Sequence, residues 1–347
     1  MEEALVIATR ALRPLLYSAT RTKVFWPLLR ARATIFMLHR FSAPGIGVKG
    51  HEPQTLRSAL ATLRSQRFKI LPLQVLMSDL AAGITHSRPV VAFTIDDGYL
   101  DHATVAAPVF AEFDCPVTTF VTTGFLDGQL WFWWDQIEYV LENSSRDSVE
   151  VELPGGSLRY GLRTQSERAV ALQHFTSTCK KLADTEKRDA ITRLAWSAEV
   201  DIPARAPQRY APMTWTDLRR CENMTMTFGP HTVTHPILAR TSDSQSRFEI
   251  AESWNRLRTE ARHPVPVWCY PNGQDGDFGE REMKTLSDLG FLGAVTGSVG
   301  YAAIEDVQRA PFDRFKVPRF AYPDSLEDLL LLAGGAERMK QIARRER

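Results

Sequence analysis

The chain has 347 residues, of which 44% are hydrophobic and 24% are charged, a composition that excludes collagen-like and disordered classes. Lysine and arginine total 42 against 41 for aspartate and glutamate, so no global field would attract nucleic acid. The four cysteines are far apart and form no CxxC pair, which favours buried free thiols in a reducing cytoplasm over a zinc ribbon or a disulfide framework.

Residues 1–32 form a basic N-terminal segment before the first predicted strand. Residues 1–40 hold seven basic and two acidic side chains, and arginines interrupt the apolar run before a secretory signal can form. Two interpretations remain open: an amphipathic element resting on an anionic membrane surface, or a basic helix packed across one end of the domain. We expect a cytoplasmic protein, which the first interpretation would make peripheral at the membrane.

Short β-branched runs alternate with helical patterns from residue 33 onward, which is typical of parallel sheets built from βαβ units. The predicted strands are Ala33–Phe41, Val90–Thr94, Cys115–Thr122, Met224–Phe228, Val265–Tyr270, Gly293–Thr296 and Lys316–Phe320. The predicted helices are Pro53–Gln66, Ala103–Phe113, Thr216–Cys221, Ser244–Arg262, Glu280–Leu289 and Leu326–Arg345. About seven strands predict a closed or nearly closed barrel within residues 33–347.

The interval at about 131–212 breaks this rhythm. It contains an aromatic segment, a predicted hairpin with Gly155 and Gly156 at its turn, and polar helices around Glu167–Ala183 and Glu186–Glu199. We interpret it as an insertion between barrel strands and not as an independent domain.

Two adjacent carboxylates, Asp96 and Asp97, follow the apolar strand that ends at Thr94. They would repel each other unless a cation or a shared proton relieved the repulsion. Gly98 permits an immediate turn that directs both side chains toward a barrel mouth. An ordinary Asp-Asp-Gly surface turn is the alternative.

Two histidines, His231 and His235, follow the predicted strand Met224–Phe228. A spacing of four places two imidazoles on one face of a helical turn, and Pro236 limits that helix to a single turn. Active sites of such barrels lie at the carboxyl ends of strands, although an isolated pair on a solvated face is also common. One carboxylate and two imidazoles together make a three-ligand metal set that leaves positions for water and substrate.

With these motifs the chain resembles the polysaccharide deacetylase family, also called the NodB-homology or carbohydrate esterase 4 family. The matching stretches are residues 94–98 (TIDDG), where the family usually has Phe in place of Ile95, and residues 231–236 (HTVTHP). The resemblance runs from about Ala33 to Phe320. It implies an α/β fold, namely a distorted (β/α) barrel with about seven strands and an α+β insertion.

The same resemblance implies residue roles. Asp96 would be the catalytic base, and Asp97, His231 and His235 would hold a divalent metal. Zinc is the first expectation, and mixed nitrogen and oxygen ligation also suits Co²⁺, Ni²⁺ or Fe²⁺.

Residues 267–273 (VWCYPNG) resemble the next family motif. Cys269 stands where many members have an arginine that orients the base, and Asn272 stands where they have an aromatic residue. By this analogy the backbone N–H of Asn272 would stabilise the tetrahedral oxyanion. A Pro-Asn-Gly turn without a chemical part is the alternative.

No histidine follows His263, so the C-terminal histidine that many members use as general acid is absent. The chain is closer to a subgroup in which the histidine of an N-terminal strand motif, here His39, takes that role. A core or capping histidine is the alternative for His39. Arg319 matches a strand-end arginine of the same subgroup that would orient Asp96, and a surface ion pair is its alternative.

The insertion resembles that of deacetylases found with bacterial exopolysaccharide pathways. This implies hydrolysis of an N-acetyl group, rather than an O-acetyl group, on a glycan or a lipid-linked saccharide. The aromatic cluster Trp131–Trp134 would be a sugar-stacking platform or, alternatively, core. Rival functions are hydrolysis of another amide, such as a formamido sugar or a cyclic amide, and non-catalytic glycan binding.

Overall fold

The computed structural model describes residues 23–153 and 155–345. Most of the basic N-terminal segment, residues 1–22, therefore lies outside the described residues. Among the helices of the described chain, none combines the length and apolar character that crossing a bilayer requires.

Eleven strands are present in the described residues. They are β1 (Arg32–Leu38), β2 (Lys69–Ile70), β3 (Val90–Ile95), β4 (Val117–Val121), β5 (Ser148–Leu153), β6 (Gly156–Gly161), β7 (Met226–Pro230), β8 (Val267–Cys269), β9 (Gly293–Val299), β10 (Ala302–Ala303) and β11 (Val317–Ala321).

Thirteen α-helices are present in the same residues. They are α1 (Pro53–Ser65), α2 (Leu73–Ala82), α3 (Ala107–Glu112), α4 (Thr123–Leu126), α5 (Trp133–Asn143), α6 (Gln165–Cys179), α7 (Asp184–Ser197), α8 (Trp215–Glu222), α9 (Asp243–Glu260), α10 (Glu280–Asp288), α11 (Ile304–Val307), α12 (Leu326–Ala333) and α13 (Ala336–Arg345).

Seven parallel strands form a nearly closed barrel in the order β7-β4-β3-β1-β11-β9-β8. The two end strands approach each other where the Val265 N–H donates a hydrogen bond of 2.7 Å to the Phe228 carbonyl. The predicted distorted (β/α) barrel is therefore confirmed.

The strands alternate between two cores. Ile35 and Ala92 pack with residues of β8, β9 and β11, which places them inside the barrel. Their neighbours Phe36 and Phe93 pack outward against the surrounding helices. All six residues of β3 are buried because both of its faces are covered, as expected for a parallel strand.

The segment between β4 and β7 carries the hairpin β5–β6 and the helices α5, α6 and α7. Its apolar side chains form a separate hydrophobic cluster that includes Val140, Val151 and Phe175. This separate cluster allows the segment to extend beyond the barrel and form a wall beside its mouth.

Three sequence-based expectations differ from the structure. The single predicted helix Leu326–Arg345 is two helices, α12 and α13, because Gly335 adopts a positive φ of 93°. Helix α2 was not predicted, since its run of leucines lacks a clear polar face. The predicted helix Ala103–Phe113 begins as a π-helical segment, His102–Ala106.

Candidate functional site

The two adjacent carboxylates lie at the carboxyl end of β3, where the chain turns sharply. Asp97 and Gly98 both have positive φ angles, of 91° and 98°. The positive φ favours glycine at position 98, and a Cβ there would also come within 2.8 Å of Leu126 Cδ1, which would have to move. The turn leaves Asp96 and Asp97 buried and lining one cleft.

Asp96 forms a bidentate ion pair with Arg319 on β11. The guanidinium donates hydrogen bonds of 2.8 Å to each carboxylate oxygen, and Arg319 itself is almost fully buried. Burial alone would raise the pKa of Asp96, but the charge and hydrogen bonds of Arg319 hold that pKa well below its usual range. The surface ion pair considered for Arg319 is therefore wrong, since the pair lies in the barrel interior.

Arg319 is fixed by three further contacts. It donates hydrogen bonds to Thr94 Oγ1 and to the Thr296 carbonyl, both at 2.9 Å, and its Nη2 lies 3.3 Å from Cys269 Sγ. Cys269 stands where a family arginine was expected, and the guanidinium arrives instead from the neighbouring side of the barrel. The small thiol leaves the space that this guanidinium fills.

The segment from His231 to His235 is an irregular loop after β7, so the predicted helical turn is wrong. Thr232 and His235 adopt positive φ angles of 68° and 58°. The buried carboxylate of Glu249 on α9 holds this loop by accepting hydrogen bonds from the backbone N–H groups of Val233 and Thr234, at 2.8 and 2.9 Å. The two imidazoles meet although the local backbone is not helical.

Asp97, His231 and His235 converge on one point. The two Nε2 atoms lie 3.1 Å apart, and Asp97 Oδ1 lies 3.7 Å from His231 Nε2 and 3.5 Å from His235 Nε2. Ligand atoms about 2.1 Å from a tetrahedral zinc ion would be about 3.4 Å apart. The three atoms therefore fit a metal ion with little movement.

The tautomer of His231 also suits metal ligation. Its Nδ1 donates a hydrogen bond of 2.8 Å to the Cys269 carbonyl, which leaves the Nε2 lone pair facing Asp97. Burial and the neighbouring His235 lower the pKa of His231 to about 4, so the imidazole is neutral at neutral pH. A neutral imidazole is the form that binds metals.

A second group, Asp96, His231 and Cys269, also brings its potential ligand atoms within 4.8 Å of one another. The Arg319 guanidinium already contacts both Asp96 and Cys269. Burial raises the pKa of the Cys269 thiol well above its usual value, so the thiolate that a metal needs is disfavoured. The Asp97 group is therefore the better candidate metal site.

His39 follows β1 and faces the cleft. Its Nε2 lies 3.9 Å from Asp96 Oδ2, and its side chain is 47% exposed, so it is neither a core nor a capping histidine. The buried His102 donates a hydrogen bond to the His39 carbonyl and fixes the backbone there. His39 can thus reach both the solvent and the reacting centre.

Asn272 lies in the loop after β8 with a positive φ of 61°. No described residue accepts a hydrogen bond from its backbone N–H. Its side chain is held at both ends, because Oδ1 accepts a hydrogen bond of 2.8 Å from Lys180 and Nδ2 donates to Asp277. The residue itself lines the cleft.

The cleft has a volume of about 930 Å³ and is shared by the barrel mouth and the insertion. Trp131 and Phe132 are buried core residues, whereas Trp133 and Trp134 line the cleft. Trp134 packs edge-on against the His235 ring at 4.7 Å between centroids. The aromatic cluster is therefore divided between the core and the cleft wall.

Three contributors to the site were missed by sequence reasoning. Glu249 and Lys180 were not singled out because each lies on a polar helical stretch among many charges. Asp135 directly follows the aromatic cluster, and it is buried and accepts a hydrogen bond of 2.7 Å from Tyr99. The tyrosine directly after the Asp-Asp-Gly turn was the available signal for that contact.

A family model described as polysaccharide deacetylase matches residues 83–293, which is more than half of the chain. No curated protein matches the chain.

Solved structures share the fold. The chain is similar to the Streptococcus pyogenes deacetylase PplD in complex with acetate, with 16% identity, a TM-score of 0.56, and coverage of 88% of this chain and 99% of that one. It is also similar to IcaB from Ammonifex degensii, with 15% identity, a TM-score of 0.53, and coverage of 88% and 97%.

Proposed function

Because the chain belongs to the polysaccharide deacetylase family, we propose that it hydrolyses the N-acetyl group of a sugar in a glycan or a lipid-linked saccharide. The observation that carries this proposal is that a candidate metal site and a buried ion pair lie side by side at the carboxyl ends of the barrel strands. Asp97, His231 and His235 form a candidate metal site, and the Asp96–Arg319 pair lies beside it.

The three-residue group fits a divalent metal, and we propose zinc. A bound divalent cation supplies Lewis-acid chemistry, by which it lowers the pKa of a water molecule and polarises the acetyl carbonyl. Asp97, His231 and His235 would hold it.

The other residues of the cleft have distinct roles in the proposed reaction. Asp96, which Arg319 keeps ionised and oriented, accepts a proton from the attacking water. The backbone N–H of Asn272 donates a hydrogen bond to the developing oxyanion. His39 protonates the departing amine nitrogen, after which acetate and the free amino sugar leave.

The test is an acetate-release screen with metal-loaded protein over N-acetylated saccharides and lipid-linked sugars, with and without a chelator. Acetate release that stops with chelation and returns with added zinc is expected. Release of formate from formamido sugars without acetate release would favour the rival amide hydrolase. Binding of glycans with no product would favour a non-catalytic module.

The metal assignment has its own control. His231→Ala and His235→Ala should each lose both metal and activity, because one of three protein ligands is gone. His263→Ala removes an exposed histidine away from the cleft and should keep both. Full metal occupancy in either ligand variant, measured by elemental analysis, would overturn the assignment.

We also propose that the basic N-terminal segment contacts an anionic membrane surface. Its described part supports this, since Lys23 and Arg30 are exposed beside Val24, which is 64% exposed. The triple variant Arg10→Gln, Arg13→Gln and Arg21→Gln should sediment less with anionic vesicles at low salt, because three positive charges of the segment are removed. Unchanged sedimentation would leave only a packing role.

A further inference from the structure

Helix α6 of the insertion has two faces with different surroundings. Its residues Ala171, Phe175 and Cys179 are buried in the insertion's own hydrophobic cluster. The residues of α6 that line the catalytic cleft are Ala169, Leu172, Gln173, Thr176 and Ser177. Their spacing of three and four residues makes them one continuous helix face.

The polar side chains of this face lack hydrogen-bond partners in the described chain. Thr176 Oγ1 is buried without a partner, and Gln173 and Ser177 form no hydrogen bond with any described residue. Other helical hydroxyls bond to the carbonyl four residues earlier, as in Ser58, Thr178, Thr259 and Thr285. The cleft face of α6 therefore keeps donors and acceptors that a ligand can use.

The face ends at Lys180, directly beside the proposed chemistry. The Lys180 ammonium donates a hydrogen bond of 2.8 Å to Asn272 Oδ1, and an ammonium has two further donors. The backbone N–H of Asn272 is the proposed oxyanion donor. A sugar bound along α6 would therefore lie next to a second sugar whose acetyl group is directed at the backbone N–H of Asn272.

Aromatic rings complete this wall of the cleft. Trp133 and Trp134, on the neighbouring helix α5, line the same space. A sugar has C–H groups on its faces and hydroxyls at its edge, so it is complementary to ring surfaces combined with short polar side chains. A single acetylated sugar is small for a cleft of about 930 Å³, which leaves room for a neighbouring unit.

We propose that the cleft face of α6 is a glycan subsite that binds the sugar unit next to the acetylated one. This inference rests on the proposed function for its chemistry, but its binding test does not need turnover.

The experiment measures binding by titration calorimetry in the Asp96→Asn protein, which is expected to bind without turning over. The probes are β-1,4- and β-1,6-linked tetramers of N-acetylglucosamine. Adding Gln173→Ala with Ser177→Ala should weaken binding of the better tetramer about tenfold, because two hydrogen bonds to the neighbouring sugar are lost. The matched control, Gln165→Ala with Ser166→Ala, changes the same residue types at exposed positions of α6 outside the cleft and should bind normally.

Turnover gives the second readout, with Asp96 intact. The Gln173→Ala, Ser177→Ala protein should lose about tenfold in kcat/KM on the tetramer and keep its rate on N-acetylglucosamine and on an activated acetyl ester. Equal losses on all three substrates, unchanged tetramer affinity, or no tetramer binding at millimolar concentration would each overturn the subsite. Tetramer binding that depends on α6 without acetate release would instead overturn the proposed function and leave the subsite standing.

Discussion

The barrel mouth and the first helix of the insertion each bury one carboxylate beside the cleft, and the two are stabilised in opposite ways. Asp96 at the mouth receives two charged hydrogen bonds from Arg319, and its pKa lies well below the usual range. Asp135 at the start of α5 receives one hydrogen bond from the neutral Tyr99. Burial raises the pKa of Asp135 to about 8, and the contribution of Tyr99 is smaller.

The difference shows that burial alone does not decide the ionisation of a carboxylate; its partner does. A buried arginine keeps Asp96 charged and available as a proton acceptor. A phenol without charge leaves Asp135 protonated over most of the physiological range. The cleft thus combines one carboxylate at the barrel mouth that stays ionised with a second carboxylate, at the start of α5, that ionises only near pH 8.

The largest expected effect is the loss of Asp96 as a base. Asp96→Asn should keep the metal and remain folded, with lower stability because Arg319 loses its anion, and it should abolish turnover because an amide cannot accept the proton of water. Asp97→Asn should lose the metal. Metal analysis and acetate release of both variants decide the matter, and the reverse pattern would mean that the two aspartates have exchanged roles.

Removing the partner of Asp96 should cost stability as well as activity. Arg319→Met leaves a buried carboxylate without its cation, for which we expect a loss of about 3–5 kcal/mol in the free energy of unfolding. In the native protein the pKa of Asp96 is depressed. Its stabilising contribution is therefore present above the unfolded pKa of about 3.9 and is lost only at more acidic pH.

In the Arg319→Met protein burial remains and the cation is gone, so the pKa of Asp96 should rise. The acid limb of the kcat profile should then move to higher pH. Denaturant unfolding and a pH series of acetate release measure the two effects. A variant as stable as the native protein, with an unmoved acid limb, would contradict the assigned pairing.

A smaller effect is expected from His39, which approaches Asp96 from the solvent side of the cleft. His39→Ala should retain metal and lower kcat on an N-acetyl substrate by roughly 10²–10⁴, the usual contribution of a positioned acid. An activated ester leaves as a stable anion and should lose far less. Equal slowing of amide and ester, or no slowing of either, would show that the proton comes from another group.

The last prediction concerns Asp135 and the way the free energy of unfolding depends on pH. Its raised pKa means that proton binding favours the folded state. Its stability contribution is therefore complete below about pH 4 and is lost as pH rises toward 8. Asp135→Asn should remove this decline, so that the variant gains stability relative to the native protein between pH 4 and 8. The measurement is the melting temperature of both proteins at a series of pH values between 4 and 8. The same change of melting temperature with pH in both proteins would contradict the comparison between the two carboxylates.

Much of the barrel was predictable because its strands are short, apolar and separated by helical patterns. The motifs at Asp96 and His231 were also visible, since each follows a strand directly and the carboxyl ends of parallel strands share one face of a barrel. These are local properties of the sequence. They gave the right positions even where the local conformation was wrong, as in the loop from His231 to His235.

Other features depend on contacts that no short window contains. Glu249 holds the loop from His231 to His235 by accepting hydrogen bonds from its backbone N–H groups. Nothing in the sequence distinguishes this glutamate from the other acidic residues of α9. Lys180 reaches Asn272 across 92 positions of chain. The division of the aromatic segment into core and cleft likewise depends on how α5 is rotated about its axis. A run of adjacent aromatic residues does not indicate which of them face the core.

The pairing of Asp96 with Arg319 also has a consequence for biosynthesis. The two residues are 223 positions apart, so synthesis at roughly 5–20 residues per second separates their appearance by about 10–45 s. During that interval the nascent chain carries Asp96, the proposed base, without its cation. The barrel strand that carries Arg319 is the last to be synthesised, so the Asp96–Arg319 ion pair can form only near the end of translation. A chain that stops short of residue 319 would contain every candidate metal ligand and still lack an oriented base.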